Sequence, residues 1–397
     1  MLMLSDATLA YGEDMARALL GVDQLYRSLA ADGEEDDGLV VVNMAADHRP
    51  EAYATYGEAR ERLTELARRA ETLPEPDRRA YYGQLCGSTL ALLEWRERGL
   101  SFTDQLGRFL HVPAAPVSDE ELDGLRGEMR ALLGGMGYDG DLSARCAAWE
   151  ERTRVPRDEV AGVLNGLCDA AWERTAARIA LPAPRADGMR VATVSGAAFN
   201  ARCNYLSRTV ELNIDPVLTR PALKHLAVHE CYPGHYVQFK LRETWYREGT
   251  APADGLLSVV NSASSCTFEG IADNGLLLLD WLDSDDDRFA ALMSRYRSGI
   301  GTGAAWRLHA LGWSEERVTQ WLSGASLVGG DGWAANRMRF IAAPHRAVLI
   351  WSYWWGEAVV TPAWQRVPPA RQADVLRFLY GRMHSPQTVG MFEEAMA

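Results

Sequence analysis

Two histidines six residues apart, with a proline and a glycine between them, constrain this chain more than any other feature. The stretch reads His229-Glu230-Cys231-Tyr232-Pro233-Gly234-His235, with Gln238 one turn further on. An adjacent His-Glu followed by a second His is how zinc hydrolases take two ligands and a general base from one helix, but there the histidines stand four residues apart on one face. A separation of six turns the second imidazole away by roughly 240° and lifts it about 9 Å along the axis. No regular helix brings this pair to one ion. Pro233 lacks a backbone donor and clashes with the carbonyl of His229, so the helix must kink, bulge or end there, and Gly234 admits an unusual dihedral. A bend at Pro233-Gly234 would swing His235 back beside His229.

The ten residues HECYPGHYVQ resemble the HExxPGHxxQ hallmark of a zincin-like bacterial family, domain of unknown function 885. The resemblance continues downstream. Thr267-Phe268-Glu269-Gly270-Ile271-Ala272 is similar to the family's FxEGxA segment, whose glutamate is the third metal ligand, a role that falls on Glu269. Arg307 to Trp313, followed by Glu315, Glu316 and Val318, resembles the next block, a helix, an HAxGW turn and a second helix. Arg339-Phe340 and Pro344 to Gly356 look like a degraded RYxxxPGQAxxYxxG block, and Asn213 matches a family asparagine. The similar region covers about residues 190 to 360. Four departures stand out. Ala305 occupies an aspartate position, Pro344-His345-Arg346-Ala347 replaces PGQA, Ile271 and Asn274 take the aromatic positions of EGWALY, and Ile350 falls where a tyrosine belongs unless Tyr353, one turn later, replaces it. They leave the metal core intact and imply a substrate, or a reaction, different from that of the relatives.

The resemblance implies one zinc ion, with manganese or cobalt as alternatives, held by His229, His235 and Glu269. Three ligands with one open position let bound water act as a nucleophile near neutral pH. Glu230, next to a ligand and unable to reach the ion as well, is the expected general base. Three of the eight histidines fall within residues 225–235. His225 therefore competes as a ligand: four residues before His229, it would share that helix face. Tyr353 and His309 are candidate oxyanion donors, and Asn213, His345 and Arg339 candidate substrate contacts, the Arg339 fork suiting a carboxylate. Trp351, Tyr353, Trp354 and Trp355 either line a pocket or pack in the core. Cys231 reads as a small packing residue beside the base.

A net charge of −13 disfavours a nucleic-acid partner, which would call for a basic face. No signal-peptide order and no apolar run of about 18 to 20 residues appear, so the expectation is a cytoplasmic protein with no membrane partner. The six cysteines lack CxxC spacing and read as reduced thiols. Helical periodicity fills the first half, around 5 to 30, 50 to 72 and 77 to 98. Ser118 and Glu121 form a capping box for a helix ending at Gly134-Gly135, and Val160 to Ala171 opens another. Glu34 to Asp37 reads as a solvated acidic loop. Leu181 to Gly188 is the best linker, dividing an N-terminal helical region (1–180) that covers the cleft from a zincin-like region (189–397), the two forming one compact unit. Met189 to Val194 and Thr209 to Ile214 read as strands joined by Ser195 to Asn204, and Thr219 and Pro221 as cap and first turn of the metal helix. The expected fold is mainly α, with a small sheet beside that helix. The expected activity is zinc-dependent hydrolysis of an amide or peptide bond in a short peptide or N-acyl amino acid. The alternative is a non-hydrolytic zinc enzyme of specialised metabolism that uses the same glutamate for elimination, hydration or rearrangement.

Overall fold

Helices begin where the sequence supplies caps. Ser5, Thr55 and Ser118 accept hydrogen bonds from Thr8, Glu58 and Glu121 backbone amides and open the helices Asp6–Ser28, Tyr56–Ala70 and Asp119–Gly135. Ser118 and Glu121 form the full reciprocal box, the Glu121 carboxylate accepting from the Ser118 amide at 3.1 Å. Pro76 sits in the first turn of Pro76–Arg98, where a missing amide hydrogen costs nothing. Val160–Ala176 completes the expected set. This computed structural model describes residues 3–29, 38–197 and 199–396, with residues 330, 331, 345 and 396 described by backbone alone; the acidic segment Glu34 to Asp37 lies outside the described residues. Helix makes up 65% and strand 6%, so the fold is mainly α with little sheet.

Five short strands occur among the described residues: β1 (Val40–Asn43), β2 (Arg190–Val194), β3 (Ala201–Asn204), β4 (Thr209–Asn213) and β5 (Leu257–Val259). The chain folds as two compact units. The first comprises Met1–Pro113, Val237–Ile271 and Trp355–Ala397, the second Ala114–Tyr236 and Ala272–Trp354. Three helices, His235–Arg247, Ser265–Asp273 and Ile350–Gln365, contain residues of both units. The segment 181–188 lies inside the second unit and ends neither.

In the first unit the long N-terminal helix buries Tyr11, Met15, Leu19, Val22 and Tyr26, and β1 pairs antiparallel with β5. An ionic group sits within this apolar packing. Asp77, fully buried, accepts from Arg78 at 2.9 Å and Arg382 at 3.1 Å. Burial alone would raise its pKa; the charges of Arg78, Arg382 and His384 and the bond from Arg78 win and hold it at about 2.

In the second unit the sheet order is β2-β4-β3. β2 runs parallel to β4, Arg190 opposite Thr209 through Val194 opposite Asn213, and β3 runs antiparallel to β4, Ala201 opposite Leu212. The parallel pairing follows from β3, which carries the chain back before a turn at Arg208 (φ 55°) leads into the central strand. The reading of Ser195 to Asn204 as a plain connection is thus corrected. Ala201-Arg202-Cys203-Asn204 contains no β-branched residue, so its strand state comes from pairing with β4 and not from propensity. No helix of the described residues is long and apolar enough to cross a membrane.

Candidate metal centre

Thr219 caps the helix Arg220–Leu226, its side chain accepting from the Ala222 amide, with Pro221 in the first turn. The helix then widens into a π-helical turn, Ala227–Cys231. The Tyr232 amide reaches back five residues to the Ala227 carbonyl at 3.1 Å, and Gly234 bonds to the Val228 carbonyl at 2.8 Å. After a cis Tyr232-Pro233 bond a fresh helix starts at His235. The proline therefore breaks the helix outright. Gly234 is required for close approach: a Cβ there would run into the His229 carbonyl. The result is the convergence that the spacing demands, with the His229 and His235 ring centroids 4.6 Å apart and their planes at 83°. The Tyr232 hydroxyl accepts from the Met189 amide at 2.8 Å, which ties the start of β2 to this turn.

A carboxylate absent from the sequence reading orders the imidazoles. Asp273 Oδ1 lies 2.8 Å from His229 Nδ1 and 3.3 Å from His225 Nε2. Burial would raise the Asp273 pKa, but the His229 charge and the bonds from His225 and His229 hold it well below the usual carboxylate range. With Nδ1–H committed to Asp273, His229 keeps Nε2 as its lone-pair donor.

Two overlapping groups have ligand atoms all within 4.8 Å of one another: His225, His229 and Asp273, and His229, His235 and Glu269. Donors on one tetrahedral zinc stand about 3.3 Å apart, given bonds near 2.0 Å. The 2.8 Å contact of His229 with Asp273 is shorter than that and has the length of a charge-assisted hydrogen bond. This makes Asp273 a hydrogen-bond partner of His229, with His225 on its other side at 3.3 Å, and His229, His235 and Glu269 form the group that contains both histidines of the spaced pair.

The Glu269 segment is built tightly. Glu269 and Asp273 lie one turn apart on the helix Ser265–Asp273. Gln238, one turn after His235 and fully buried, donates to the Phe268 carbonyl at 3.0 Å and accepts from Arg242 at 3.2 Å. Gly270 meets Gly356 backbone to backbone, so a Cβ on either would collide with the other helix. Those two constraints explain the glutamine and the glycine of the motif.

Glu230 is 6% exposed. Cys231, beside it, is buried with its sulfur 3.7 Å from that of Cys168. That hydrogen bond, burial and the nearby Cys203 and Glu230 raise the Cys231 pKa well above its ordinary value, as befits a packed thiol. β3 packs on the π-helical turn and forms one edge of its sheet, so the strand nearest the turn is the one that the sequence concealed.

The remaining candidates scatter. Asn213 donates to the Ala197 and Phe199 carbonyls, both at 3.1 Å, and accepts from the Asp215 amide, so its amide holds the loop between β2 and β3. His309 Nε2 bonds to the Ile341 carbonyl at 2.7 Å. Arg339 is exposed and donates to Asn336. The side chain of His345 lies outside the described residues. Trp351 and Trp354 belong to the core, Trp351 donating to the Ala115 carbonyl, whereas Tyr353 is half-buried. Arg337, two residues before Arg339 and passed over in the sequence, is an arginine whose charge the Tyr353 hydroxyl favours.

No protein-family model matches the chain, and no curated protein matches it. Among solved structures it is similar to the "putative lipoprotein from Colwellia psychrerythraea", with a TM-score of 0.55 at 16% identity over 86% of this chain. The match covers 63% of that protein, so the chain spans less than two thirds of its length. At this identity the likeness is one of fold alone.

Proposed function

We propose that this chain is a metal-dependent hydrolase of zincin-like architecture that cleaves an amide or peptide bond in a short peptide or N-acyl amino acid. One observation carries the reading: two imidazoles and a carboxylate, from His229, His235 and Glu269, approach within 4.8 Å of one another. Two nitrogens and one oxygen form a donor set that suits zinc, with manganese or cobalt as substitutes. When bound, zinc supplies Lewis acidity, making water acidic near neutral pH and polarising a carbonyl oxygen. Asp273 holds the His229 ring with Nε2 available. Glu230 takes the proton from the attacking water and returns it to the departing nitrogen. Tyr353 is the candidate donor to the developing oxyanion, while His309, spent on a backbone carbonyl, acts as a structural clamp.

The non-hydrolytic alternative drew on the departures from the family motif. Of these, Ile271, Ala305 and Ile350 are buried in the core, so they read as packing changes, and no observation raises that alternative above hydrolysis. The test is Glu230→Gln assayed on a peptide mixture alongside wild type. Loss of the base should lower cleavage by about 10²- to 10⁴-fold with metal content unchanged. Wild-type protein that carries under about half an equivalent of transition metal, or a variant as active as wild type, would end this reading.

A further inference from the structure

The second unit places two guanidinium groups around one indole. Arg297, from the helix Asp285–His309, stands 4.9 Å from the Trp333 ring. Arg337, one turn beyond Trp333 in the helix Gly330–Ala342, stands 5.5 Å from the same ring and 5.8 Å from that of Phe340. Arg297 is provided for, since it donates to the Val328 carbonyl at 2.6 Å and faces the Glu150 carboxylate. Arg337 differs. Its Nε, like that of Arg297, is buried without an acceptor, but among the described residues Arg337 forms no ion pair and no hydrogen bond, and the group that favours its charge is the Tyr353 hydroxyl.

Arg337 is half-buried, and a guanidinium stays protonated in proteins, so it keeps its charge as it loses part of its water. Desolvation without a counter-ion is unfavourable, and a second guanidinium nearby makes it more so. The Arg337 stem runs beside Gly301, its Cδ 3.9 Å from the position a Cβ would take there. A fork flanked by aromatic faces and lacking an acid partner is what a bound carboxylate needs.

We propose that Arg337, with the Trp333 and Phe340 rings around it, is a binding subsite for the carboxylate of a small acyl-bearing molecule. This deepens the hydrolase reading, on which it rests for the bond that reacts, by specifying a substrate with a free carboxylate such as an N-acyl amino acid. With Arg297 already engaged by the Val328 carbonyl and Glu150, one uncommitted charge remains, which a carboxylate matches and a phosphate dianion exceeds.

Isothermal titration of the full-length chain with N-acetyl-L-alanine, its neutral amide and inorganic phosphate tests the subsite without any turnover. Wild type should bind the acid at least about 10-fold more tightly than the amide and more tightly than phosphate, given what a charged bidentate pair contributes. Arg337→Met should abolish the preference, and Arg337→Lys, which keeps the charge but not the fork, should retain part of it. Equal binding of acid and amide by wild type, tighter binding of phosphate, or an unchanged preference in Arg337→Met would each overturn the proposal. Should the Met variant fail to fold, the wild-type comparison and the Lys variant still decide. Zinc uptake and peptide cleavage by the same wild-type preparation report on the hydrolase reading separately: acid preference without zinc uptake would sink hydrolysis and keep the subsite.

Discussion

Asp273 is the residue on which the candidate metal centre turns, and a sequence gives little notice of it. The approach of His229 and His235 is legible because proline and glycine break the helix between them, and that of Glu269 because the resemblance names its segment. Asp273 sits one turn after Glu269 on the same helix, which a search for a carboxylate supporting a ligand could have used, but its partners are 44 and 48 residues earlier in the chain. Asp273→Asn should weaken zinc binding by about 10- to 100-fold, measured by competition with a chelator. His235→Ala should abolish it, and His225→Ala should cost only a few-fold; loss with His225→Ala and retention with His235→Ala would instead make His225 the ligand. Asp77 gives a pH prediction of definite sign. Its pKa falls from 3.8 to about 2 on folding, so its contribution is present above pH 4 and lost as pH drops towards 2. By linkage this amounts to about 2 kcal/mol. Urea midpoints measured from pH 5 to 2 should fall less steeply in Asp77→Asn, from a lower starting value, than in wild type.

Elements were legible in proportion to their local signals. The helix announced by the Ser118–Glu121 box and those that periodicity put around 5 to 30, 50 to 72 and 77 to 98 lie close to where they were expected, with Ser5, Thr55 and Pro76 setting the starts of the latter three. Strands were harder. β2 and β4 show branched alternation, whereas β3 is short and polar, and β1 and β5 have four and three residues; only partners distant in sequence select their strand state. The crossing of two helices at Gly270 and Gly356 was equally hidden, since contact between backbones leaves no pattern in either helix alone. Gly270→Ala should overpack that crossing and destabilise by about 1 to 3 kcal/mol, read as a lower urea midpoint at constant slope. An unchanged midpoint would mean that the helices separate at little cost.

The whole molecule departs most from a linear reading. A proline-bearing linker at 181–188 invites a division there, yet each compact unit gathers stretches from far apart, and Leu181 to Gly188 lies within one of them. A fragment of residues 189–397 would lack Met1–Pro113, which supplies more than half of the first unit. It should therefore unfold without a cooperative transition by calorimetry, whereas the full chain should show one or more; a sharp transition in the fragment would restore the linear division. This interleaving also sets a timetable for synthesis. The opening 113 residues leave the ribosome with part of their apolar surface lacking its mates until residues 355–397 emerge, some 240 peptide bonds later. At about 5–20 residues per second, the nascent polypeptide waits for about 12 to 50 s in a state that invites chaperones.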